Sequence, residues 1–175
     1  MSARGRILVA EDEDADLQLM QRALAKAHVD TPVTYARDGD EVIHYLEGVS
    51  RYLPVLLLLD LKMPRVDGFA VLEWLQHRPG PASVSVIVVS SSSDSRDISR
   101  AGALGAHYYI VKPNDPAELV RALERVQEFW RGNVTSGTGS QAMVTEMTSN
   151  QRIDTRSGSH VDSASYGVGG LAARV

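Results

Sequence analysis

Four short stretches deliver side chains suited to phosphoryl chemistry. "RILVAEDED" carries Glu11 and Asp12 just past an apolar run, "VLLLLD" ends on Asp60, "VSVIVVSSSS" runs into Ser90, and "AHYYIVKP" reaches Lys112. Four consecutive leucines mark Leu56 to Leu59 as a buried segment, and a buried carboxylate without a partner is costly. Asp60 must therefore lie where its strand leaves the core, beside something that offsets its charge. If the first and third strands are neighbours, Glu11, Asp12 and Asp60 converge. Each carboxylate pair about 4 Å apart at an effective dielectric near 20 then costs roughly 4 kcal/mol. A hard divalent cation relieves that repulsion, and Mg2+ is commonly held by one or two carboxylates together with phosphate oxygens. Ser90 adds a hydroxyl able to donate to a phosphoryl oxygen, and Lys112 adds a fixed ammonium. Metal and ammonium together stabilise charge on a transferring phosphoryl group.

Such convergence requires strands that end along one rim. Up to about Trp130, short β-rich runs ("RILVA", "PVTYA", "VLLLLD", "VSVIVVS", "AHYYIVK") alternate with segments of helical spacing. Leu17, Met20, Leu24 and Ala27 share one face, as do Val42, Ile43 and Leu46, then Phe69, Leu72 and Leu75, and finally Leu119, Leu123, Val126 and Trp130. Asp38 with Glu41, and Asp115 with Glu118 and Pro116, read as capping boxes. Asp67-Gly68 reads as a turn into the third helix, and Ser93 as the N-cap of the fourth, whose sequence has few large apolar residues. Five β-α units in alternation predict a parallel sheet covered on both faces. In such a sheet, ligands bind beyond the carboxyl ends of strands where the strand order reverses, which for order 2-1-3-4-5 lies between the first and third strands.

The totals narrow the function classes. The chain has 175 residues, 43% of them hydrophobic, a net charge of −4 and no cysteine. A net negative charge disfavours a nucleic-acid partner. The lack of cysteine excludes disulfides and thiolate metal sites and suits a reducing cytoplasm. No apolar run approaches the ~20 residues that span a bilayer, so a soluble cytoplasmic protein with no membrane partner is expected. His28, His44, His77, His107 and His160 lack metal-ligand spacing and are expected to be surface or structural. Trp74 is expected to be half-buried and Trp130 to close the last helix on the sheet. Tyr108 should face outward, because strand alternation sets it opposite Tyr109. Residues 133–175 are rich in Gly, Ser and Thr without sustained period, and read as a flexible tail following a domain at 1–132.

The motifs "EDED", "LLLLDLKMPRVDG", "VIVVSSS" and "YYIVKP" together resemble the receiver domain of two-component response regulators, over about Arg6 to Trp130. "LDLKMPRVDGFAVLEWL" is similar to the single-domain type that serves phytochrome-like sensor kinases. The resemblance implies a flavodoxin-like, doubly wound (βα)5 fold and a signalling phosphoacceptor rather than an enzyme acting on an outside substrate. It implies that Asp60 accepts a phosphoryl group from the phosphohistidine of a sensor histidine kinase. Glu11, Asp12, Asp60 and the Lys62 backbone carbonyl would hold Mg2+, and Lys112 would pair with the phosphoryl group. Ser90 and Tyr109 would be the switch pair, with Tyr109 rotating inward as Ser90 moves, and the Lys112-Pro113 bond would be cis. Glu11 stands where Asp is commoner in the family, and Ser90 where Thr is frequent. The "EGVSRYLP" loop is longer than usual. The Lys62 ammonium either helps Ser92 set water access to the acyl phosphate or is a solvated side chain contributing only its carbonyl.

Output by protein contact is expected, with homodimerisation through the fourth helix, fifth strand and fifth helix as one form of it. Another class is an aspartyl-nucleophile phosphohydrolase, for which Asp12-Glu13-Asp14 supplies a D-x-D spacing but which leaves Asp60 unexplained. A receiver-like module without phosphorylation is disfavoured because every needed residue type is present. A nucleotide-binding flavodoxin-like protein lacks the Gly-rich loop after its first strand.

Overall fold

The computed structural model describes residues 5–48, 53–78 and 84–136, with 128–136 as backbone only. The elements alternate as β1 (Ile7–Ala10), α1 (Asp14–Lys26), β2 (Val33–Ala36), α2 (Gly39–Gly48), β3 (Leu56–Leu59), α3 (Gly68–Gln76), β4 (Ser85–Ser90), α4 (Ser95–Ala103), β5 (Tyr108–Val111) and α5 (Pro116–Ser136). The five strands are parallel in the order β2-β1-β3-β4-β5. This is the expected doubly wound arrangement, with β1 and β3 adjacent at the point of reversal.

The leucine run of β3 serves two cores at once. Successive strand residues point to opposite faces. Leu57 and Leu59 join Leu8, Val86, Val88 and Tyr109 under α2, α3 and α4, represented by Val42, Leu46, Phe69, Leu72 and Ile98. Leu56 and Leu58 join Ile7, Val9, Ile87 and Ile110 under α1 and α5, represented by Leu17, Met20, Leu119 and Leu123. Burial of a leucine side chain contributes about 1.5–3 kcal/mol. Four of them in sequence hold the end of β3, and hence Asp60, in a fixed place. Tyr109 is fully buried, and Tyr108, set on the opposite face by alternation, is half-buried against the second core rather than turned to the surface, because α1 and α5 cover that face too. Trp74 is half-buried against the first of these cores.

Local caps set the helix starts. Asp38 Oδ1 accepts from Glu41 N at 2.8 Å, while Glu41 Oε2 accepts from Arg37 N at 2.7 Å, one residue before the expected partner. Asp67 accepts from Ala70 N at 2.8 Å, and Asp115 from Ala117 N at 2.9 Å ahead of Pro116. The cap of α4 is Asp94 rather than Ser93: its Oδ1 accepts from Arg96 N at 2.9 Å. A carboxylate is the stronger acceptor at the positive end of a helix, and the Arg96 side chain bonds Asp94 as well. The loop after β3 is pinned to the start of α2. Arg65, at φ 60°, pairs with the buried Asp38, and Gly39 N donates to Val66 O at 2.9 Å. Helix α5 continues to Ser136, past the expected boundary at 132. The remaining tail from 137, loop residues 49–52, His160 and the Trp130 side chain lie outside the described residues.

His107 has a structural role with a pH consequence. Its Nδ1 accepts from Val86 N at 3.1 Å, and its backbone N–H donates to Val86 O at 2.8 Å. Burial, only partly opposed by the Val86 bond, holds the ring below the usual histidine pKa of 6.5, so the folded state favours the neutral form. The stability tied to this depressed pKa is present above the unfolded value and is lost as pH falls through the folded one. Urea unfolding should therefore show wild type losing more stability than His107→Gln between pH 6.5 and about 5. Parallel profiles would contradict this.

Candidate phosphoacceptor site

Backbone pairing carries each strand end to the rim. Asp60 N donates to Ala10 O at 3.0 Å, Glu11 N to Ala36 O at 3.0 Å, and Lys112 N to Ser90 O at 2.8 Å. The ladders thus continue one residue beyond β1, β3 and β5. Gly68 packs against the acceptor strand end: a Cβ there would lie 2.3 Å from Asp60 O and 2.8 Å from Leu61 Cα.

The expected residues do converge. Glu11 and Asp60 are buried, Asp12 is half-buried, and one carboxylate oxygen from each lies within 4.8 Å of the others. Lys112 Nζ donates to Glu11 Oε2 at 2.7 Å, to Asp16 Oδ2 at 2.7 Å and to Asp60 Oδ2 at 2.9 Å. The second oxygens of the two buried acids are held alike. Glu11 Oε1 accepts from Glu13 N and Asp60 Oδ1 from Lys62 N, both at 3.2 Å. The Lys62 side chain is exposed.

The charges in this cluster do not balance. Three carboxylates (Glu11, Asp16 and Asp60) hold one ammonium, and Asp12 adds a fourth negative charge beside Glu11 and Asp60. Burial pushes the Glu11 carboxyl up to about 6 against the opposing pull of Lys112, so it stays mostly ionised at pH 7. Burial alone would lower Lys112, but its bonds to Asp16, Glu11 and Asp60 outweigh that and hold it above the ordinary lysine value. Asp12 Oδ1 is buried and has no hydrogen-bond partner among the described residues. An orphaned carboxylate oxygen beside two others, with net negative charge, fits a hard divalent cation.

On the β4 side, Ser90 is fully buried, and its Oγ accepts from Ser92 N at 3.4 Å. Ser92 Oγ donates to Asp97 at 2.6 Å, and Tyr109 OH donates to Ser92 O at 2.9 Å. Tyr109 therefore already points inward, where an outward resting position was expected. A buried phenol needs a partner for its hydroxyl, and the Ser92 carbonyl supplies one. The Lys112-Pro113 bond, expected cis, is trans, since no described peptide is cis. For X-Pro bonds the trans form is favoured by about 0.5–1 kcal/mol unless the surroundings oppose it.

Two charged groups at this rim were missed in the sequence. Asp16 sits in the first turn of α1 and bonds Lys112. Its only signal was a position four residues after Asp12, one helical turn on. Arg37 pairs with Asp14 at 2.6 Å and donates to Asp12 O at 3.3 Å. Asp14, the second acid of the D-x-D spacing, is 78% exposed and is not one of the carboxylates that gather with Asp12. The phosphohydrolase alternative loses its geometry there.

Known proteins share this architecture. The family model of the response regulator receiver domain matches residues 7–124. FilR2 of Methanothrix harundinacea, a probable methanogenesis regulatory protein, is 33% identical over 129 residues, 72% of this chain and 83% of its own length. Response regulator Rcp1 of Synechocystis is 29% identical over 133 residues, 74% of this chain and 90% of its own. The Mn2+-bound form of Rcp1 matches with a TM-score of 0.64 at 28% identity, over 72% of this chain and 94% of that one. The phosphorylated cyanobacterial phytochrome response regulator RcpA matches with a TM-score of 0.67 at 34% identity, over 76% of this chain and 98% of its own. With fold, rim and family model in agreement, the chain belongs to the response regulator receiver domains, the phosphoacceptor modules of two-component signalling.

Proposed function

We propose that Asp60 is the phosphoacceptor, taking its phosphoryl group from the phosphohistidine of a sensor histidine kinase. The observation that carries this reading is the buried Asp60 carboxylate set between the Lys112 ammonium and the orphaned oxygen of Asp12. An Asp60 oxygen attacks phosphorus, and the P–N bond to the kinase imidazole breaks with its electron pair left on nitrogen. The product is an acyl phosphate on Asp60. Lys112 compensates the charge of the phosphoryl oxygens, the Lys62 amide orients the carboxylate, and the Ser90 hydroxyl is the donor that turns toward the new group. Tyr109, bonded to Ser92, reports the position of that loop.

Glu11, Asp12, Asp60 and the Lys62 carbonyl are the groups that would hold Mg2+, which supplies charge neutralisation for the phosphoryl oxygens. The likeness to RcpA, a cyanobacterial phytochrome response regulator, supports a phytochrome-type kinase as donor. Output is by protein contact, with self-association through α4, β5 and α5 as one route. The cytoplasm is the place of action. In keeping with this, no described helix is long and apolar enough to cross a membrane.

Incubation with acetyl phosphate and Mg2+, read by intact mass, tests the reading. One phosphoryl group should add in Mg2+ and none when the cation is chelated. Equal labelling with and without cation would contradict the assigned carboxylate cluster.

A further inference from the structure

One partner of Lys112, Asp16, takes no part in phosphoryl transfer to Asp60. Lys112 has three N–H donors, and all three are used, on Glu11, Asp16 and Asp60. When Asp60 carries a phosphoryl group, one donor must pass to a phosphoryl oxygen. The donor now on Asp60 is the one nearest the new group, so the ammonium must keep its other two holds while that one is exchanged.

Those two holds are unequal. Glu11 belongs to the carboxylate group that can take a cation, and its charge is shared there. Asp16 stands outside that group. It lies in the first turn of α1, where the helix dipole favours an anion. It precedes Leu17, which is packed in the core, so its backbone is fixed. Its side chain is 39% exposed, against 15% for Lys112, which places it at the mouth of the site.

We propose that Asp16 is a positioning residue: it anchors the Lys112 ammonium from α1 so that the donor facing Asp60 is free to move onto the incoming phosphoryl group. The proposal rests on Asp60 being the acceptor. Without Asp16, the ammonium leans on Glu11 and its third donor no longer has a fixed direction. Asp16 is not a catalytic residue, since it touches neither the acceptor nor the phosphoryl group and acts only through Lys112.

A double-mutant cycle separates this from a general structural role. The readout is the initial rate of phosphorylation of the full chain by acetyl phosphate at saturating Mg2+. Asp16→Ala should slow the reaction about tenfold in the wild-type background, the scale of one charge-assisted hydrogen bond. In a Lys112→Ala background the same change should alter the rate less than about twofold. Asp16→Asn keeps the size of the side chain and replaces the alanine variant if that one does not fold, with the same dependence on Lys112. A wild-type rate in the Asp16 variant, or an equal factor in both backgrounds, overturns the proposal. If the wild-type chain takes up no phosphoryl group, the reading of Asp60 fails first and this inference falls with it.

Discussion

Asp60→Asn should take up no phosphoryl group from acetyl phosphate in Mg2+, while the wild-type chain is labelled, and its fold should be intact. The amide keeps the shape of the carboxylate. Its oxygen still accepts from Lys62 N, and Lys112 keeps Glu11 and Asp16 as partners. What is lost is the anionic nucleophile at the end of β3, beside the Lys112 ammonium. The substitution also removes one of four negative charges in a cluster with a single ammonium. In the absence of divalent cation the asparagine variant should therefore melt no lower than wild type. A marked drop in Tm would mean that Asp60 is chiefly a structural carboxylate.

Gly68→Ala should be the costliest single-methyl change at this site. The added Cβ would meet Asp60 O at 2.3 Å, Leu61 Cα at 2.8 Å and Asp60 C at 3.1 Å, all backbone atoms. No side-chain rotation relieves such contacts, so either α3 or the end of β3 must move. Retreat of α3 would loosen Phe69 and Leu72 in the core and lengthen the Gly68 N to Leu61 O bond, now 3.1 Å. A loss of about 3 kcal/mol is expected, at the upper end for overpacking, together with slower phosphorylation because Asp60 is carried on the displaced segment. Urea unfolding measures the first effect. A loss under about 1 kcal/mol would show that the loop yields more readily than its backbone packing implies.

Much of this was legible because the signals are local or periodic. Apolar runs place all five strands and helical spacing places four helices, the fourth being read from the alternation alone, and strand ends place Glu11, Asp12, Asp60, Ser90 and Lys112 at one rim. What was not legible depends on tertiary geometry or on side-chain rotation. Asp16 meets Lys112 across 96 positions of sequence, and no short motif connects a helical acid with a lysine four strands later. "DG" at 67–68 reads as a turn, whereas the approach of Gly68 to the Asp60 carbonyl appears only when α3 is packed on the sheet. Among Ser90, Ser91, Ser92, Ser93 and Asp94, composition alone does not choose the cap, and the charged acceptor took it. Alternation buries the Tyr109 ring, but the bond from its hydroxyl to the Ser92 carbonyl is a choice between rotamers that alternation does not address.

The most direct test is to map the modified residue. After treatment with acetyl phosphate and Mg2+, borohydride reduces an acyl phosphate to the corresponding alcohol with loss of phosphate, marking the acceptor as homoserine in the digested chain. Homoserine is expected at position 60 alone. Homoserine at position 12 or 16, 5-hydroxynorvaline at position 11, or no such alcohol in a chain that gained phosphoryl mass would contradict it.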